Sequence, residues 1–119
     1  ARRPQVFSLL ARMGDRVSLD VDVTRAYGDV NQAQIFPQIS LFDYSGRLLI
    51  ESNLANLTGS IQSFVIPKTD VYFAVVHSEE TTPALDAEGE MIGWHTNSST
   101  WFDYTLTLTG VTPYQALFP

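Results

Sequence analysis

Cysteine is absent from this 119-residue sequence, which removes disulfides, thiolate metal sites and a cysteine nucleophile together. Charge is scarce: charged residues make up 17% of the chain, yet 45% is hydrophobic, so the scarcity marks a globular chain and not a disordered one. Positive charge is scarcer still, with seven Lys and Arg against thirteen Asp and Glu and a net charge of −6. A chain so poor in cations has no basis for a nucleic-acid partner, because phosphate binding needs a cationic face, and an anionic membrane surface is disfavoured likewise. No apolar run approaches the ~20 residues that span a bilayer, so membrane insertion is not expected, and the chain opens without a signal-peptide core. Capped helical periodicity is also missing from every stretch of about ten to twelve residues.

What the chain has instead is alternation. In Trp101–Thr109 the apolar Phe102, Tyr104, Leu106 and Leu108 interleave with Asp103, Thr105, Thr107 and Thr109. Arg16–Arg25 sets Val17, Leu19, Val21 and Val23 against Ser18, Asp20, Asp22 and Thr24. Successive strand side chains point to opposite faces, so both segments read as strands with one dry face. Shorter strand signals fall at Gln5–Ala11, Ile35–Asp43, Arg47–Glu51, Ile61–Ile66 and Val71–His77. Asp43-Tyr44-Ser45-Gly46 reads as a hairpin turn. These signals predict one domain over residues 1–119, with a long polar loop at 78–100 and a tail at 111–119. The expected fold is all-β, an antiparallel two-sheet β-sandwich, jelly-roll-like. Its core is expected from Val17, Leu19 and Val21, from Ile39 and Leu41, from Val71, Phe73 and Val75, and from the apolar set of the last strand.

Four segments occur in a telling order. They are Gly14-Asp15-Arg16-Val17-Ser18-Leu19-Asp20-Val21, Pro37 to Leu49 (PQISLFDYSGRLL), Asp70-Val71-Tyr72-Phe73-Ala74-Val75 and Asp103-Tyr104-Thr105-Leu106-Thr107-Leu108. Together they resemble the bacterial pre-peptidase C-terminal (PPC) domain family, over about Gln5 to Thr112. The resemblance implies a non-catalytic, jelly-roll-like domain appended to secreted enzymes or displayed on cell surfaces. Relatives include collagen-binding domains of clostridial collagenases, some of which bind calcium and an extracellular polymer. Where relatives often carry acids, this chain has Phe36, Ser52 and Asn53, a loss of hard oxygen donors from a site that wants six to eight.

Three constellations are candidates for chemistry. His77 and His95 flank the long loop, with Ser78, Asp86, Glu88 and Glu90 nearby, and a small hydrolase using His77 or His95 is one reading. No nucleophile elbow and no H-E-x-x-H motif accompanies them. Asp20, Asp22 and Asp29 could take calcium, with Asp86–Glu90 as the alternative acids, since clustered carboxylates are relieved by a divalent ion. Trp94, His95, Asn97 and Trp101 join flat apolar area to amide and hydroxyl groups, which suits a sugar or polypeptide ligand. The leading expectation is a non-catalytic accessory or surface-display domain, secreted or on the cell surface, that tethers or binds an extracellular protein or polysaccharide. A carbohydrate- or protein-binding module built on the 78–101 aromatics is the runner-up.

Overall fold

A computed structural model describes residues 4–28, 36–52, 57–78, 81–96 and 100–112. Its strands are β1 (Gln5–Ala11), β2 (Arg16–Gly28), β3 (Pro37–Phe42), β4 (Leu48–Glu51), β5 (Thr58–Val65), β6 (Asp70–Ser78), β7 (Thr81–Leu85), β8 (Met91–Thr96) and β9 (Thr100–Thr109). The described residues contain no helix, and every strand pairing is antiparallel. Four strands form one sheet in the order β1-β6-β3-β4, three form another in the order β5-β2-β9, and β7 and β8 form a separate hairpin.

The alternation of β2 and β9 dictates how these sheets bury themselves. Val17, Leu19 and Val21 of β2 and Phe102 of β9 are buried, and they share one cluster with Ile39 and Leu41 of β3 and Ile61 of β5. Tyr104 and Leu106 pack against it half-buried. The core is therefore drawn from both large sheets at once. Each fully buried aliphatic side chain contributes about 1.5–3 kcal/mol relative to exposure.

Three elements differ from the sequence expectation, each for a physical reason. The face that β6 turns to the shared core carries Tyr72, Ala74 and Val76, whereas Val71, Phe73 and Val75 lie on the opposite parity. Tyr72–Val76 is apolar at every position, so a period of two cannot choose between its faces. β6 lies inside the sheet, paired with β1 on one side and β3 on the other. Leu108 lies on the inward parity of β9 but remains 42% exposed, one residue from the end of the strand, whereas Phe102 of the same edge strand is buried. Last, the segment expected as a loop carries β7 and β8, registered from Thr81↔Thr96 to Leu85↔Met91.

Buried polar groups are accommodated within this frame. The Tyr72 hydroxyl donates to the Lys68 carbonyl at 2.6 Å, the geometry of a tyrosine corner, and burial pushes its pKa above the usual phenol value. Asp15 closes the β1–β2 turn, accepting from Arg12 N–H at 3.0 Å. It also ties down the end of the last strand, accepting from the Thr112 N–H at 2.9 Å and hydroxyl at 2.6 Å. Burial pushes the Asp15 carboxyl up, but the bonds from Thr112 and Arg12 and the Arg12 charge bring it below the usual carboxylate range.

Candidate functional site

The outer face of the four-stranded sheet, turned away from the shared core, is where the molecule gathers its unusual chemistry. On β3 and β6 this face presents the register pairs Phe42↔Phe73, Ser40↔Val75 and Gln38↔His77. Phe42 and Val75 are each 2% exposed, although the other sheet lies on the opposite side. The β7–β8 hairpin is the described element that reaches this face.

Two copies of one turn grammar hold the hairpin in place. Asp43-Tyr-Ser-Gly-Arg47 and Asp86-Ala-Glu-Gly-Glu90 both place Asp first and Gly fourth. Asp43 Oδ1 accepts from the Ser45 N–H and hydroxyl at 2.9 and 2.6 Å and from the Arg47 N–H at 3.0 Å. Asp86 Oδ1 accepts from the Glu88 and Glu90 N–H groups at 2.9 and 3.0 Å. Gly46 and Gly89 take φ of 90° and 82°, the left-handed conformation that closes a bulged hairpin turn at no steric cost. The turns then bind each other through main chain. Leu48 N–H donates to Gly89 O at 3.1 Å, Met91 N–H donates to Gly46 O at 2.9 Å, and Arg47 bridges Glu90. Burial raises the Asp43 carboxyl, but the bonds from Ser45 and Arg47 and the Arg47 charge bring it below the usual range.

Beside this junction lies a groove of about 320 Å³, lined by Val6, Phe42, Tyr44, Phe73, Val75 and Met91 together with Ser45 and Gly46. The Tyr44 and Phe73 rings stack with centroids 6.1 Å apart and planes 26° from parallel. Tyr44 is 67% exposed and Val6 60%, so the lining is open to a ligand. A second recess of about 530 Å³, lined by Gln5, Phe7, Asp103, Tyr104 and Leu106, opens between the edge strands β1 and β9. There the Tyr104 hydroxyl donates to Gln5 Oε1, and burial raises the Tyr104 pKa.

At the opposite end of the same outer face is a polar cluster that joins two buried side chains to an exposed carboxylate. Ser40 Oγ lies 2.7 Å from His77 Nε2 and 3.0 Å from Glu51 Oε2, and His77 Nδ1 lies 2.8 Å from the Ser78 carbonyl oxygen. Ser40 is fully buried and His77 is 2% exposed. Sequence reasoning singled out His77 but not Ser40 or Glu51, because strand register alone brings residues 40, 51 and 77 together. The detectable signal was a serine inside the apolar run Ile39–Phe42.

The sequence-derived candidates are distributed differently from expectation. Trp94 and His95 lie on β8, opposite Pro83 and Thr82, whereas Trp101 lies on β9 opposite Tyr27. The backbone thus assigns these three to two different sheets, and Asn97 lies outside the described residues. Of the calcium candidates, Asp20 accepts from the Ser60 hydroxyl at 2.8 Å and from Gln62 Nε2 at 3.0 Å. Asp22 is exposed one register step away, and Asp29 lies outside the described residues. Asp86 uses its carboxylate on the Glu88 and Glu90 N–H groups of the hairpin turn. Among the described residues no group of three or more His, Asp and Glu side chains could hold a metal ion. Ser52 Oγ accepts from the Ile39 N–H at 2.9 Å.

No family model, no curated protein and no solved structure matches the chain.

Proposed function

We propose that this chain is a non-catalytic accessory or surface-display domain of an exported bacterial protein, a jelly-roll-like β-sandwich of the PPC kind that binds an extracellular protein or polysaccharide. The observation that carries the reading is the groove beside the docked hairpin, where an exposed tyrosine stacks on Phe73 above an apolar floor. Such a surface offers flat apolar area with hydrogen-bonding groups at its rim, as polymer recognition needs. The two-sheet arrangement is supported by the core shared between the four- and three-stranded sheets. The signal order quoted from the sequence supports the family and, through it, the secreted or cell-surface location.

The Ser40–His77 pair is the observation that would favour a hydrolase, and its geometry argues otherwise. In a catalytic relay the acid orients the histidine through Nδ1 and the serine stays open to substrate. Here Nδ1 faces a main-chain carbonyl and the carboxylate sits on the serine. Ser40 has no exposed surface, and neither residue lines the two recesses.

The test is binding of the purified domain to glycan and matrix-protein arrays, repeated with Tyr44→Ala. Loss of binding at least tenfold, with an unchanged melting temperature, is the expected result. Binding that survives Tyr44→Ala but fails in Trp94→Ala moves the site to the 94–101 aromatics. Ester or peptide turnover abolished by His77→Ala overturns the non-catalytic reading.

A further inference from the structure

A bare sheet edge presents unpaired N–H and C=O groups to any extended chain, and folded proteins defend such edges with charge, proline, a bulge or brevity. Three of the four edges of the two large sheets carry a defence of this kind. β4 is four residues long, and its turn is bonded to the turn of the β7–β8 hairpin. β5 is interrupted by the bulge at Ser63, and β9 carries the charge of Asp103. β1 has none of these. Its sequence, QVFSLLA, holds no charge and no proline, and all seven residues pair with β6 without a shift in register. Among the described residues no strand pairs with its other side, and Gln5, Val6, Phe7 and Ser8 are all exposed.

The surroundings of this edge define the chemistry of an occupant. Successive side chains of β1 face opposite ways. Val6 lines the apolar groove with Phe42, Phe73 and Met91, whereas Gln5 and Phe7 line the second recess with Asp103 and Tyr104. A strand laid alongside β1 obeys the same alternation, so its side chains enter the groove and the recess in turn. We propose that the free edge of β1 binds an extended polypeptide segment as a further strand, with apolar side chains over the groove alternating with hydrogen-bond donors over the recess. Every second residue of β1 turns its N–H and C=O away from β6, and a polypeptide main chain matches that spacing where a polysaccharide does not. The recess is bordered by the amide of Gln5, the hydroxyl of Tyr104 and the carboxylate of Asp103, whose oxygens suit a donor. The net charge of −6 makes an ammonium group the favoured donor. A second copy of this chain is a poorer occupant, since it sets −6 against −6 and has no cation in its β1. The inference rests on the binding reading above and narrows its ligand to polypeptide.

Three capped heptapeptides probe the edge: one alternating valine with lysine, one alternating valine with glutamate, and the lysine peptide with every amide N-methylated. The last keeps the side chains but cannot donate to the edge. Binding to the intact domain is read from ¹H–¹⁵N spectra and amide hydrogen exchange. The lysine peptide should shift the Gln5–Leu9 amides and slow exchange of those that face away from β6, and both controls should bind at least tenfold more weakly. Val6→Lys, a change at an exposed side chain, should weaken the lysine peptide at least tenfold without moving the melting temperature. Failure of the lysine peptide to bind at millimolar concentration, or equal binding of either control, overturns the proposal. Outward β1 amides already protected in the free protein also overturn it, since a monomer then fills the edge with its own chain and a dimer fills it with a second copy. An array ligand that is lost in Tyr44→Ala yet leaves the β1 amides unshifted overturns this inference while the binding-domain reading stands.

Discussion

Single positions in this molecule are held by backbone constraints that side-chain chemistry cannot relax. Gly110 ends β9 at φ 86°, and a Cβ there would lie 2.0 Å from the Arg16 carbonyl oxygen. Gly110→Ala combines a left-handed conformation with a main-chain clash, so we expect a loss of at least about 2 kcal/mol in chemical denaturation. Ser63 presents the converse. It adopts φ 52° at the bulge where β5 shifts register against β2 between Val17 and Leu19, and its N–H donates to Ser18 Oγ at 3.0 Å. Glycine keeps that main-chain bond and removes the steric penalty, so Ser63→Gly should stabilise by about 0.5 kcal/mol despite the added freedom of the unfolded chain. An equal or lower melting temperature would show that the bulge is not under strain.

Among the elements, β6 and the β7–β8 hairpin decide how much of the architecture could be read beforehand. β2 and β9 were legible because Asp, Ser and Thr interrupt their apolar residues at every second place, which fixes the buried face. Tyr72–Val76 has no such interruption, and its inward set became visible only when β1 and β3 supplied the register. The hairpin was hidden for another reason. Asp86-Ala-Glu-Gly89 repeats the grammar of Asp43-Tyr-Ser-Gly46, but Thr81–Leu85 and Met91–Thr96 are short and partly polar, with Pro83 among them, so they read as loop. The groove inherits that blindness, since Met91 reaches it only through the turn-to-turn bonds. Removing the hairpin tests its structural weight. Replacing Thr81–Thr96 with a short Gly-Ser linker should expose Phe42 and Val75, raise binding of an apolar dye and lower the melting temperature by several degrees. An unchanged melt would make the hairpin an independent appendage.

For the molecule as a whole, acid stability follows from its turn carboxylates. Asp15 and Asp43 bind protons less tightly folded than unfolded. Their contribution is therefore complete above the unfolded carboxylate range, about pH 4, and is lost as pH falls through the folded values. The melting temperature should drop below about pH 4, and Asp43→Asn should shrink that drop; equal acid profiles would refute the assignment. Calcium acts at the same scale, because a ligand bound only to the folded state stabilises it by mass action. With Asp20 already bonded to Ser60 and Gln62, melts in millimolar calcium and in chelator should superimpose.

The central claim is the proposed sandwich, in which the three-stranded sheet would cover one face of the four-stranded sheet and the hairpin the other, leaving the groove between. Nuclear Overhauser contacts in a ¹³C-methyl-labelled sample probe this most directly. The account predicts cross-peaks from the Met91 methyl to the Phe73 or Tyr44 ring, together with cross-peaks from the Val76 and Ala74 methyls to residues of β2 or β9. Overhauser contacts linking Val75 methyls to β2, with none between Met91 and the aromatic pair, would contradict it.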